Sequence, residues 1–250
     1  MIRVEHISKA FNGEQILSDI SITYERGKTN LIIGASGSGK SVLTKCTVGL
    51  IKPDEGKVFF DDREFTALDN KSRQEIRTEI GMLFQGNALF DSLTIEQNVM
   101  FPLQMHTDMK SDEILERVNF CLERVQLTGV NQKYPAEISG GMQKRVALAR
   151  AISMKPKYLF CDEPNSGLDP QTSIVIDQLI SEITKEYDMT TIIVTHDMNS
   201  VMEIGDKVIF IHKGQKWWEG NSDSILSTTN KELSDFVFAS SVMKRLVDKK

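Results

Sequence analysis

Residues 34–41 read GASGSGKS, which places glycines, a lysine and a serine at the spacing GxxxxGK[ST]. Those residue types in that order suit the holding of a phosphate chain. Glycines at 34, 37 and 39 carry no Cβ, so successive backbone N–H groups can turn inward on anionic oxygens. Lys40 can then reach the terminal phosphates, and the Ser41 hydroxyl can ligate Mg²⁺. A plain glycine-rich turn would leave the Lys-Ser pair unexplained. The segment YLFCDE at 158–163 ends a largely apolar run on two acids. Asp162 is placed to hold the Mg²⁺ shell, and Glu163 to polarise a water for attack on the γ-phosphate. Acids also end strands for ordinary turn reasons, so this pair takes its meaning from the loop upstream. His196, in TTIIVTHD, could hydrogen-bond the γ-phosphate and hold Glu163 and water in line. His6, His106 and His212 have no such setting and read as surface or structural residues.

Each of these segments follows an apolar run that can form a strand. Leu31-Ile32-Ile33 precedes the glycine loop and a helical pattern from Gly39 to Leu50 follows it, the context that the motif requires. The helix aims its positive end at the loop. Pro53, Glu55 and Gly56 mark a turn before a strand at 57–60, and the resulting order βαβ predicts a parallel sheet. YLFC (158–161), TTIIVT (190–195) and KVIFIH (207–212) are further strands, separated by helical stretches at 171–187 and 198–204. Both acids and His196 then arrive at the C-terminal edge of the sheet, where ligands bind in open α/β folds. Ile2, Val4, Ile7, Ile16, Leu17, Ile20 and Ile22 make the first sixty residues strand-rich. Ile114, Leu115, Val118, Leu122 and Val125 recur at helical spacing, and the pattern over 111–127 and 139–153 predicts a helical insert at 88–155. A last helix is expected over 231–247, which either crosses to a second subunit or covers its own core. Trp217 and Trp218 fall on the edge of a late hairpin, so one is expected to be buried and the other exposed.

The frame is globular: 250 residues, 40% hydrophobic and 26% charged, a composition that excludes disordered and collagen-like classes. Thirty Lys+Arg against thirty-five Asp+Glu give −5, the wrong sign for a broad nucleic-acid-binding face. The longest apolar runs fall far short of the roughly 20 residues of a spanning helix, and the N-terminus has no secretion-signal pattern, so a cytosolic chain is expected. Cys46, Cys121 and Cys161 lie far apart without a CxxC pair and read as buried free thiols.

The stretch ISGGMQKRVALARA at 138–151 resembles the LSGGQ signature of ATP-binding-cassette (ABC) ATPases. Gln85 in MLFQ then matches the family's Q-loop, Asp169 in SGLDP its D-loop and His196 its switch histidine, in the family's order across nearly the whole chain. The resemblance implies an α/β P-loop NTPase fold with a mostly parallel core sheet, an N-terminal antiparallel β subdomain and an inserted α-helical subdomain. Residues 1–250 would form one domain, with 1–87 and 156–228 as the nucleotide-binding core, 88–155 as the signature subdomain and 229–250 as a helical tail. ATP and Mg²⁺ are the implied cofactors. The match carries nucleotide contacts onto Gly34, Ala35, Ser36, Gly37, Ser38, Gly39, Lys40, Ser41 and Val42, and onto Asp169. It carries Mg²⁺ ligation onto Ser41, Gln85 and Asp162, and catalytic roles onto Glu163, His196, Gln85 and Lys40. Phe11 sits where the family stacks an aromatic ring on adenine, with a core phenylalanine as the alternative.

Ser139, Gly140 and Gly141 open a helix and so form an anion site with no nucleotide of its own in the same chain. The resemblance therefore implies a homodimer in which each signature covers the γ-phosphate held by Lys40 of the other copy. Met142 replaces the usual Gln of the signature, SGLD replaces SALD, and Asn165 says little about substrate. Residues 82–107, MLFQGNALFDSLTIEQNVMFPLQMHT, together with Met142, resemble the ATPase of the bacterial Mla-type phospholipid transporter. That implies a peripheral subunit on the cytoplasmic face of the inner membrane, an integral-membrane permease and an MCE-type lipid-binding partner, with no nucleic acid bound. Leu89, Phe90, Leu93, Phe101 and Leu103 are suitable permease contacts and equally suitable for packing inside the insert. Other readings keep the ATPase with an amino-acid, metal or drug substrate, place a soluble cassette on DNA or ribosomes, or make the chain a P-loop kinase, which would leave ISGGM without a purpose.

Overall fold

Strands with two kinds of burial pattern sort the chain into two sheets. The computed structural model describes residues 1–238. β1 (Ile2–Phe11), β2 (Glu14–Tyr24), β4 (Glu55–Phe60) and β5 (Arg63–Glu64) alternate between buried and open positions and form an antiparallel sheet in the order β2-β1-β4-β5. β3 (Thr29–Ile33) and β8 (Thr190–Val194) are buried at every residue, as befits strands covered on both faces. They join β6 (Ile80–Leu83), β7 (Tyr158–Asp162), β9 (Lys207–His212) and β10 (Gln215–Gly220) in the order β10-β9-β3-β8-β7-β6, parallel throughout except at the β9–β10 hairpin.

The expected β3–helix–β4 crossover does not occur. β4 leaves for the antiparallel sheet and pairs with β1, while the parallel neighbours of β3 are β8 and β9, from the far end of the chain. In that place EGKVFF buries Val58 and Phe60 and leaves Lys57 and Phe59 more open, as suits a sheet covered on one side.

Period-2 alternation divides the core between the two faces of the six-stranded sheet. Leu31, Ile33, Leu159, Cys161 and Ile193 face one cluster, and Ile32, Tyr158, Phe160, Ile192 and Val194 face the other. The first face carries α3 (Ile95–His106), α4 (Ser111–Arg124), α5 (Gly140–Ile152), α6 (Pro170–Glu186), α7 (Met198–Ile204) and α9 (Lys231–Val237). The second carries α1 (Lys40–Thr47) and the antiparallel sheet. α2 (Asn70–Thr78) and α8 (Ser222–Ile225) are peripheral. All three cysteines are buried, and burial pushes the Cys46 and Cys121 thiols up to about 11.

α3 starts at Thr94, whose hydroxyl accepts from the Gln97 N–H while the Gln97 side chain reaches back, a capping box written in the sequence as TIEQ. Leu103 is buried within the insert and so drops out of the expected permease contacts, whereas Phe90 and Phe101 stay exposed with ring centroids 4.9 Å apart. In β10, Trp218 packs against the core while Trp217 is exposed and donates from Nε1 to Glu232 of α9 at 3.1 Å. Of the helix expected over 231–247, α9 supplies the first part, and residues 239–250 lie outside the described residues.

Candidate active site

The parallel register decides what meets at the sheet edge. Leu83 pairs with Cys161, Asp162 with Val194, and Ile32 with Val194, so the loops that follow β6, β7, β8 and β3 leave side by side. Those loops carry Gln85, Glu163, His196 and the glycine-rich segment.

The glycine loop is tightly seated. Gly34 has φ +150° and lies so close to the Ile211 carbonyl that any Cβ would collide with it. Gly39, at φ +103°, would drive a Cβ to 2.7 Å from Leu17 Cδ2. These two positions require glycine on both conformational and steric grounds. Lys40 is buried across the loop, and its Nζ donates to the carbonyls of Gly34 and Ala35, each at 2.8 Å. Burial lowers its pKa, against the pull of the nearby Glu163 and Asp162 carboxylates.

Glu163 is the junction of the site. Its Oε2 accepts from Gln85 Nε2 at 2.9 Å and its Oε1 meets His196 Nδ1 at 3.0 Å. Its backbone sits at φ +46°, where a non-glycine residue costs about 1–2 kcal/mol, held by its N–H donating to Val194 at 2.8 Å. Beside it, Asp162 is half-buried, and desolvation followed by repulsion from Glu163 raises its pKa.

The residues present fit a nucleotide and its metal. Ser38 Oγ is buried without a hydrogen-bond partner, which leaves a free donor inside a loop already open to anionic oxygens. Ser41 and Asp162 offer hard oxygen donors suited to Mg²⁺, which keeps waters and phosphates in its shell. Among the described residues no group of three or more His, Cys, Asp or Glu forms an all-protein cage. Val42 packs its side chain on the core, so only its main chain faces the loop. Phe11 is exposed at the end of β1, with Lys9 Nζ 5.2 Å from its ring centroid, and is therefore not a core phenylalanine.

Other expected residues stand apart from this group. Ser139 caps α5, its Oγ accepting from the Met142 N–H at 3.3 Å. Gly140 faces open space, while a Cβ on Gly141 would meet Thr172 Cγ2 of α6 at 2.5 Å. Asp169 caps α6 by accepting from the N–H groups of Gln171 and Thr172 at 3.1 and 3.0 Å, and the Thr172 bonds hold its carboxyl below the usual range.

Sequence reasoning passed over Lys144, which is buried on α5 and donates from Nζ to the Gln85 carbonyl at 2.7 Å. The signal was available. At helical spacing Lys144 shares a face with Ala147, Leu148 and Ala151, all buried, so this cation had to find a partner inside.

Known proteins resemble this chain in sequence and in fold. The profile of the ABC transporter family matches residues 17–166. The chain is 37% identical over 236 residues to the probable ribonucleotide transport ATP-binding protein mkl of Mycobacterium bovis, covering 94% of this chain and 66% of that protein. It is 36% identical over 253 residues to the methionine import ATP-binding protein MetN of Campylobacter jejuni, covering 95% of this chain and 75% of that protein. The chain thus spans about two thirds of the length of mkl, its share being 66%. The dimeric post-hydrolysis structure of the ATP-binding cassette MJ0796, bound to ADP and Pi, superposes with a TM-score of 0.80 at 31% identity, over 89% of this chain and 99% of that one. With the family profile spanning most of the chain and a solved cassette matched almost end to end, the chain belongs to the ABC transporter family, whose cassettes bind ATP with Mg²⁺.

Proposed function

We propose that this chain is the ATP-hydrolysing subunit of a membrane transporter, acting as a homodimer beneath an integral-membrane permease on the cytoplasmic face of the inner membrane. The observation that carries this reading is the Glu163 carboxylate, which holds the Gln85 amide on one oxygen and the His196 imidazole on the other, next to the phosphate loop.

In this reading the glycine-loop N–H groups and the start of α1 bind the phosphates, and Lys40 offsets charge at the terminal one. Ser41, Asp162 and the Gln85 side-chain carbonyl would hold Mg²⁺, which would supply compensation for the phosphate charge. Glu163 accepts the proton of the attacking water. Gln85 and His196 fix the carboxylate in place, and with Nδ1 turned to Glu163, His196 keeps Nε2 for the γ-phosphate. The positive φ at Glu163 sets the direction in which the side chain leaves the strand, and the bonds to Gln85 and His196 hold the carboxylate. Phe11 offers its exposed ring to adenine.

The second copy is supported by the start of α5, where Ser139 caps the helix and Gly140 faces open space, a place suited to an anion brought by another chain. The MJ0796 cassette, solved as a dimer bound to ADP and Pi, supports the presence of a second copy. With each γ-phosphate touched by both halves, its loss on hydrolysis favours reopening. Exposed Phe90 and Phe101 border a groove with Ile80, Met82, Phe84 and Met154, the surface offered to the permease.

For the cargo, the resemblance of residues 82–107 and of Met142 to the Mla-type ATPase favours phospholipid, delivered with an MCE-type protein. A second reading, amino-acid import, is favoured by the likeness to MetN. Lipid mass spectrometry on the complex purified with its permease separates the two.

Hydrolysis itself is tested by Glu163→Gln, which keeps the hydrogen-bonding shape and removes the base. ATP binding is retained, turnover falls by roughly 10²–10⁴ and the closed dimer accumulates. Unchanged turnover removes Glu163 from this role.

A further inference from the structure

The catalytic loops rest on the six-stranded sheet, yet the Gln85 loop is also bonded to the signature helix. Lys144, one turn into α5, is only 2% exposed. An ammonium so buried is costly unless it is paired. Its hydrogen bond goes to the main chain of Gln85, the residue whose amide meets Glu163. The seam continues along α5: Arg150 donates to the carbonyls of Asn87 at 2.8 Å and Ala88 at 2.7 Å, and Asn87 Nδ2 lies 3.5 Å from Gln143 Oε1. Asn87 and Ala88 have φ of +60° and +49°, an irregular stretch whose shape depends on those bonds.

We infer that Lys144 is a positioning residue: its ammonium ties the Gln85 main chain to the signature helix, so that the seating of Ser139–Gly141 sets the Gln85 amide against Glu163. The inference deepens the ATPase reading and rests on it. It gives the signature helix a hold on the base through Gln85, while the other partner of the base, His196, belongs to the sheet side. Asp162 and Glu163 lie near enough to favour the charged ammonium against the burial that disfavours it, so an electrostatic effect on the acids is the competing explanation to be tested.

The test uses the full chain with Lys144→Met, which keeps the apolar stem, and Lys144→Arg, which keeps a donor. For Lys144→Met, kcat falls about tenfold while KM and mant-ATP affinity stay within about twofold, and Lys144→Arg recovers most of the loss. Gln85→Ala supplies the decisive arm. If Lys144 works through the Gln85 amide, adding Lys144→Met to Gln85→Ala slows turnover no further. Losses that multiply in the double variant, or a Lys144→Met chain with unimpaired kcat, overturn the inference. A wild-type chain that binds mant-ATP and never hydrolyses it overturns the ATPase reading instead. Should Lys144→Met fail to fold, Lys144→Gln takes its place under the same criteria.

Discussion

The two anion-facing regions of this molecule are built in opposite ways. The glycine loop is wedged between β2 and β9, with Lys40 bonded across it and three side chains from separate loops locked together beside it. The signature start is open: Ser139 caps only its own helix and Gly140 faces empty space. A region that is complete by itself can bind ligand by itself, whereas one that offers unpaired N–H groups to space depends on what is brought to it. Under the proposed function, the first region binds the nucleotide and the second licenses its reaction.

Ser139→Arg puts that division under the greatest strain. The substitution leaves the glycine loop untouched and removes the signature's contact to the γ-phosphate of the other copy, so mant-ATP affinity stays within about twofold while hydrolysis drops by about 10² or more. Mixing this variant with Lys40→Ala chains sharpens the point. Each heterodimer then holds one intact loop facing one intact signature, and random pairing restores roughly a quarter of wild-type activity. Recovery of nothing above the two variants measured alone breaks the proposed pairing.

A smaller effect separates two glycines. At Gly34 a methyl group meets both a forbidden backbone angle and the Ile211 carbonyl, so Gly34→Ala destabilises the fold by roughly 2–3 kcal/mol, read from the denaturation midpoint. Gly140→Ala adds its methyl to open space at a helix start and changes stability by less than about 0.5 kcal/mol. Equal costs at the two sites contradict the difference in construction.

The same contrast governs how much could be read beforehand. GASGSGKS, the CDE step and THD each follow an apolar strand, and local pattern sufficed to place them because each motif lies within a few residues of the strand that positions it. TIEQ and SGLDP announce the starts of α3 and α6 through capping residues and, in the second case, a first-turn proline. What escaped depends on partners remote in sequence. β4 reads as the third element of a crossover unless β1 is known to be its neighbour, and the face of α5 shows that Lys144 is buried without showing that its partner is the Gln85 carbonyl. That Glu163, His196 and Gln85 belong to one site was legible from the strand ends and the family resemblance, whereas which oxygen of Glu163 takes Gln85 and which takes His196 depends on a strand register that periodicity does not contain.

The core half has one internal weakness, and it carries the smallest effect. Asp177 of α6 is buried beneath the loops of Glu163 and His196, beside Ser200 and Asn165, with Oδ1 unpartnered, and the Asn165 amide oxygen is unpartnered too. Burial first, and then the nearby Asp197 and Glu203 charges, push its pKa up to about 6, with Ser200 and Asn165 close enough to oppose the rise. The folded state therefore holds this proton more tightly than the unfolded chain does, and stability falls as pH rises from about 4 to about 6, after which the loss is constant. Asp177→Asn removes the charge and supplies an N–H within the same cluster as the Asn165 oxygen. At pH 7 the variant is more stable by about 1–3 kcal/mol, and the gap closes towards pH 4, where the wild-type carboxyl is already protonated. Urea denaturation of both proteins across that range decides it. A gap that stays constant with pH shows that Asp177 keeps an ordinary carboxylate pKa, in which case the sheet-side half of the site carries no such internal weakness.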